Sequence, residues 1–175
     1  TQAISSAPIT IPSLSSIFTG LYPFESTVRD NDLFNLNPNL DTFVDDLVKS
    51  GYHTYAVIPE SMNHTNIPKL FMNTEFFNSF ATLYDENLGN KIINMIKNNT
   101  MKSPWFLFVH LQDLQCHPVF HLRNNPKEFE DNNTGINQYE KMLSAIDPWL
   151  GKILECLDST QTISVITSDH GSVSA

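Results

Sequence analysis

Asn39-Leu40-Asp41-Thr42-Phe43-Val44-Asp45-Asp46-Leu47-Val48-Lys49-Ser50-Gly51-Tyr52-His53-Thr54-Tyr55-Ala56-Val57-Ile58-Pro59 is the stretch that decides the fold class. Leu40, Phe43, Val44, Leu47 and Val48 recur at helical spacing, with Asp45, Asp46 and Lys49 on the opposite face. The spacing predicts a helix over 39–50, with Asn39 or Asp41 as its cap and Gly51 as its stop. Residues 54–58 then read as a buried strand ending at Pro59. Helix, glycine turn and apolar strand make half of a βαβ unit.

The rest of the chain extends this pattern. Residues 105–111 are apolar on both faces, as a central parallel strand should be. Residues 162–167 read as a third buried strand. Between the strands lie predicted helices over 86–98, with Leu88, Ile92, Met95 and Ile96 inward, and over 136–157, where Pro148 must kink or divide the helix. A shorter helix is expected over 12–19, because Pro12 suits a first turn and Gly20 a C-terminal cap. Residues 1–9 read as an extended lead-in, 21–38 as a loop, 60–85 as short helical turns and 112–133 as a long polar segment. The expected fold is α/β: a mainly parallel sheet flanked by helices, in which ligands gather beyond the C-terminal ends of the strands.

Composition narrows the function classes. The 175 residues carry a formal net charge of −9, which opposes nonspecific nucleic-acid binding. An anionic substrate is still compatible, because a bound metal reverses the local field. No apolar run reaches membrane-spanning length. Cys116 and Cys156 make neither a disulfide framework nor a zinc spacing, and both read as free thiols. Asn63, Asn98 and Asn132 begin glycosylation sequons, which chance also produces in an asparagine-rich chain. The compartment stays open.

Three groups of residues carry possible chemistry. Thr10 stands just before the predicted helix 12–19, whose first N–H groups form a ready anion site. A structural cap is the plainer reading of that hydroxyl. Asp169-His170-Gly171 follows the strand 162–167, and a carboxylate beside an imidazole suits a divalent metal. On its own such a doublet is more often a turn with a hydrogen-bonded histidine, and its place after a strand and before Gly171 favours the metal reading. His110 ends the strand 105–111, with Asp113 and His117 beyond. His110 is equally a core-edge hydrogen-bonding residue or a substrate contact, and His117 and His121 are otherwise solvated loop residues. Arg29 pairs either a carboxylate or an anionic substrate.

Four blocks in order resemble the sulfatase-type members of the alkaline phosphatase superfamily. Residues 10–31, with Thr10-Ile11-Pro12-Ser13 and Thr19-Gly20-Leu21-Tyr22-Pro23, resemble the nucleophile segment. Residues 42–57 resemble the helix–Gly-Tyr–strand block. Residues 106–118 resemble the strand ending in His and Asp with a later His near a Pro. Residues 139–171 resemble the helix and strand leading to Ser168-Asp169-His170-Gly171.

The resemblance implies that Thr10 is the nucleophile and a metal contact, that Asp169 and His170 are metal ligands, and that His117 binds substrate after a one-residue insertion. His110 joins it as a second substrate-binding candidate. The implied cofactor is a divalent metal, among Zn, Mn, Ca and Mg. Sulfatases convert Cys or Ser to formylglycine in a motif that also needs Arg two residues after the Pro. Thr10 and Leu14 stand at those positions, which points to the phosphotransferase and phosphodiesterase branches. The expectation is therefore a metal-dependent hydrolase or transferase of phosphate or sulfate esters, acting on a small-molecule, lipid or sugar ester. Its alternatives are a sulfate-ester hydrolase without formylglycine and a noncatalytic sulfatase-like domain. Residues 1–175 are expected to form one α/β domain, a fragment of a larger sulfatase-like catalytic domain, and the family's N-terminal strand with its metal-binding aspartates is not among them.

Overall fold

The computed structural model describes residues 4–30, 33–83, 86–98, 100–114 and 138–171. In chain order the elements are α1 (Thr10–Thr19), α2 (Pro23–Ser26), β1 (Thr27–Asp30), β2 (Leu33–Leu36), α3 (Phe43–Lys49), β3 (His53–Pro59), β4 (Asn73–Phe77), α4 (Glu86–Lys97), β5 (Trp105–Val109) and α5 (Gln138–Leu154). Strands β4, β3 and β5 form one parallel sheet in that order, and β1 and β2 form a separate antiparallel hairpin. The α/β class with a mainly parallel sheet is thus the observed one.

Strand β3 sits in the middle because it can be buried on both faces. Ala56 and Ile58 pack with Leu14, Phe18 and Val44 on one side, while Val57 packs with Leu88, Ile92 and Ile146 on the other. Alternate residues along a strand face opposite ways, so one apolar run serves two cores. Strand β5 divides likewise: Phe106 and Phe108 join the first core, Leu107 and Val109 the second. Helices α1 and α3 therefore cover one face and α4 and α5 the other.

Helix α1 is fixed to its face by Phe18, only 1% exposed. Its ring meets Phe108 edge-on at 5.1 Å and Phe71 at 5.9 Å between centroids. Burying such a side chain contributes roughly 1.5–3 kcal/mol. Gly20 closes the helix at φ 72°, a left-handed conformation that costs glycine nothing, and its N–H donates to the Ser16 carbonyl.

Helix α3 starts later than its apolar spacing predicts. Its cap is Thr42, not Asn39 or Asp41. The Thr42 hydroxyl accepts from the Asp45 N–H, and the Asp45 carboxylate accepts from the Thr42 N–H at 2.7 Å. This reciprocal pair satisfies two donors that would otherwise be orphaned. Residues 37–40 are held outside the helix, where Leu40 N–H donates to the Asn37 carbonyl.

Other expectations change. Residues 21–38 hold α2 and the β1–β2 hairpin instead of a loop. Thr27 pairs with Leu36 and Asp30 with Leu33, leaving Asn31-Asp32 between the strands. Residues 60–85 do contain short turns of 3₁₀ helix, Glu60–Met62 and Ile67–Leu70, but also strand β4, parallel to β3. Residues 162–167 form no strand. Ile163, Val165 and Ile166 are 94%, 80% and 62% exposed. A strand exists only where a neighbour takes its N–H and C=O groups. Among the described residues none pairs with this segment or with the outer edge of β5. Helix α5 accommodates Pro148 without dividing. No helix among the described residues is long and apolar enough to cross a membrane.

Candidate active site

The two ends of the chain meet at the N-terminus of α1. Thr10 is the first residue of that helix, one position further in than a cap. Ile9 occupies the cap position with extended φ and ψ. No side chain caps the helix, and its first turn carries no carboxylate. Pro12 has no N–H, and Ser13 N–H donates to the Ile9 carbonyl at 3.2 Å. The amides of Thr10 and Ile11 thus present the positive end of the helix dipole beside the Thr10 hydroxyl.

Asp169 and His170, the latter 160 positions along the chain from Thr10, are brought to this point. Thr10 Oγ1 lies 3.2 Å from His170 Nε2. His170 Nδ1 lies 2.7 Å from the Gly171 carbonyl, which can only accept. Nδ1 therefore carries the proton, and in the neutral ring Nε2 presents its lone pair. The Thr10 hydroxyl donates to that lone pair. Asp169 Oδ1 accepts from the His170 N–H at 3.0 Å. Its other oxygen, Oδ2, is buried without a hydrogen bond, 3.4 Å from Nε2. The Ser13 hydroxyl donates to the Asp169 main-chain carbonyl.

This donor set suits a divalent cation. A buried carboxylate oxygen without a hydrogen bond, a ring nitrogen and a hydroxyl oxygen stand together, and a cation there would take the place of the Thr10 proton on Nε2. Two lone-pair-bearing atoms side by side repel unless a proton or a cation stands between them. The shell is partial: among the described residues there is no cluster of three or more His, Cys, Asp or Glu side chains.

His110 follows the C-terminal end of β5, and its main-chain N–H donates to the Val57 carbonyl at 3.0 Å. Burial pushes its imidazole below the ordinary value of 6.5; the Asp169 carboxylate opposes that shift and His170 adds to it. His110 is therefore neutral at neutral pH and within electrostatic reach of the Asp169-His170 pair. The cluster accordingly lies beside the C-terminal edge of the parallel sheet. Asp113 is buried, and its Oδ1 accepts from the Leu83 N–H at 2.7 Å, tying the segment after β5 to the approach to α4. Arg29 lies on the hairpin with its guanidinium 5.4 Å from the Phe34 ring centroid. His117 and His121 fall outside the described residues.

Ser13 was not singled out by the sequence as part of this constellation. The signal was present: residues i and i+3 on a helix are neighbours, so Ser13 shares the face of Thr10. Nothing local says that the partner is a carbonyl 156 positions away.

A family model described as Sulfatase matches residues 1–174, and the chain belongs to that family. No curated protein matches the sequence. Membership makes the chain sulfatase-like, of a family of ester hydrolases that act on small ester substrates and generally use a divalent metal.

Proposed function

We propose that this member of the sulfatase family is a metal-dependent hydrolase or transferase with Thr10 as nucleophile, favouring phosphate esters over sulfate esters. One observation carries the reading: the Thr10 hydroxyl donates to His170 Nε2 at 3.2 Å, at an uncapped helix N-terminus, beside an unpartnered buried oxygen of Asp169. The preference for phosphate rests on Thr10 and Leu14, which stand where formylglycine formation needs Cys or Ser and Arg.

Asp169, His170 and Thr10 would hold the cation. When bound, it supplies Lewis-acid charge stabilisation and a lowered pKa for the hydroxyl it touches. The protein's own groups account for the remainder. Thr10 Oγ1 attacks phosphorus in line, its proton passing to solvent, since His170 Nε2 would be engaged in holding the cation. The bond from phosphorus to the leaving oxygen breaks, giving a phosphothreonine. The Thr10 and Ile11 amides face the charge gathering on the other phosphoryl oxygens. Neutral His110 suits a hydrogen-bonding contact to the substrate better than proton donation, which leaves His117 as the candidate acid. Water or an acceptor alcohol then attacks the phosphothreonine and releases Thr10.

The test uses the full-length protein with an aryl phosphodiester and an aryl sulfate. Thr10→Ala should lower phosphodiester turnover by roughly 10³-fold or more, the scale seen when a nucleophile is removed. Unchanged turnover rejects Thr10. Membership in the sulfatase family favours one rival, a sulfate-ester hydrolase without formylglycine. Faster turnover of the aryl sulfate by the wild type would select it. No turnover of either ester and no tightly bound metal would select a noncatalytic domain.

A further inference from the structure

We infer that Ser13 is a positioning residue: its hydroxyl holds the Asp169-His170 pair against α1, so that His170 reaches Thr10. The catalytic consequence rests on the Thr10 reading above, whereas the positioning itself does not. Ser13 is only 1% exposed, yet its hydroxyl is not spent within its own helix. A helical serine commonly bonds back to the carbonyl four residues earlier. Here that carbonyl, of Ile9, receives the Ser13 main-chain N–H, and the hydroxyl crosses to the carbonyl of Asp169.

The tether acts on the segment that ends in Asp169. Residues 162–168 have no strand partner among the described residues, and Ile163 and Val165 are largely exposed. Two hydrogen bonds join the segment to α1: Ser13 to the Asp169 carbonyl and Thr10 to His170 Nε2. The second is the reactive pair, so the first is what holds it in register. Thr10 and Ser13 lie one turn apart on a rigid helix, and Asp169 and His170 are adjacent. Two anchors on each side leave the pair little freedom to turn. Without the Ser13 hydroxyl, the Asp169 carbonyl seeks another donor and the imidazole drifts from Thr10. A misplacement of about 1 Å costs on the order of 100-fold in rate.

The experiment compares the full-length wild type with Ser13→Ala and Ser13→Cys, the latter close in size but a weak donor. Three measurements are made: the nuclear Overhauser signal between the Thr10 methyl and the His170 ring, the thermal midpoint, and kcat and KM on the aryl phosphodiester. In a folded Ser13→Ala protein, the Overhauser signal should vanish, with kcat lowered about 10–100-fold and KM nearly unchanged. If Ser13→Ala does not fold, Ser13→Cys decides by the same signal. Persistence of the signal in either folded variant overturns the inference. If neither variant folds, Ser13 is a core residue and the positioning role is likewise overturned. If the signal vanishes in Ser13→Ala but the wild type shows no Thr10-dependent turnover, the nucleophile is refuted and the tether stands. Full kcat in Ser13→Ala alongside an inactive Thr10→Ala does the reverse.

Discussion

Gly89→Ala should destabilise the protein even though it places a better helix former inside α4. A Cβ at Gly89 would meet Trp149 Cε3 at 2.5 Å and Cζ3 at 2.6 Å. Ordinary carbon–carbon contact begins near 3.5–4.0 Å, so the indole must withdraw by about 1 Å. Trp149 packs on the second core and has the Lys152 ammonium 4.2 Å from its ring centroid, so withdrawal disturbs both interactions. Overpacking of this kind costs roughly 1–3 kcal/mol. Alanine in place of glycine in a helix interior returns about 0.8–1 kcal/mol. The balance is a net loss of up to about 2 kcal/mol. Gly151 in α5 is the internal control, because a Cβ there meets nothing within 4 Å. Gly151→Ala should therefore stabilise by up to about 1 kcal/mol. Urea unfolding of the two variants should separate them by about 1–3 kcal/mol, or several degrees in thermal midpoint for a chain of this size. Equal gains in both variants would refute the close approach of α4 to α5.

Ile58→Ala empties a fully buried site in the central strand and should cost about 2–5 kcal/mol in urea unfolding. Thr42→Ala removes one half of the α3 capping box and should cost about 1 kcal/mol in the same assay. His110 yields a pH prediction whose sign follows from its lowered pKa. The unfolded chain binds the proton that the folded protein resists. Stability should therefore fall as pH drops through the ordinary histidine value of 6.5 and level off below the folded one. His110→Gln should flatten that dependence below the ordinary histidine value of 6.5, and an unchanged slope would contradict the burial argument.

The elements that could be read from sequence were those whose burial is written in a period. Leu40, Phe43, Val44, Leu47 and Val48 announced a helix, and the doubly apolar runs at 54–58 and 105–111 announced central strands. Strand β4 was harder because it lies at the sheet edge. Asn73 and Glu75 face solvent, so its pattern is only half apolar. The hairpin did leave a signal, two short strands around Asn31-Asp32, which are turn-forming residues. The segment 162–167 misled for the opposite reason. Its composition suits a buried strand, but pairing is a property of neighbours, and no sequence pattern supplies one. Thr10, Asp169 and His170 were noticed as types of residue at the ends of elements. The sequence put Ser13 on the face of Thr10 but could not name its partner, a main-chain carbonyl, which every residue possesses.

The span between Thr10 and His170 also has a consequence in time. During synthesis the helix bearing Thr10 emerges early, while its partner leaves the ribosome 160 residues later. At about 5–20 residues per second, that is a delay of roughly 8–32 seconds. Once Val109 has emerged, β3 has both described neighbours within the emerged chain, while the hydroxyl still has no imidazole. The nascent protein can thus pair β3 with β4 and β5 before the contact between Thr10 and His170 can form.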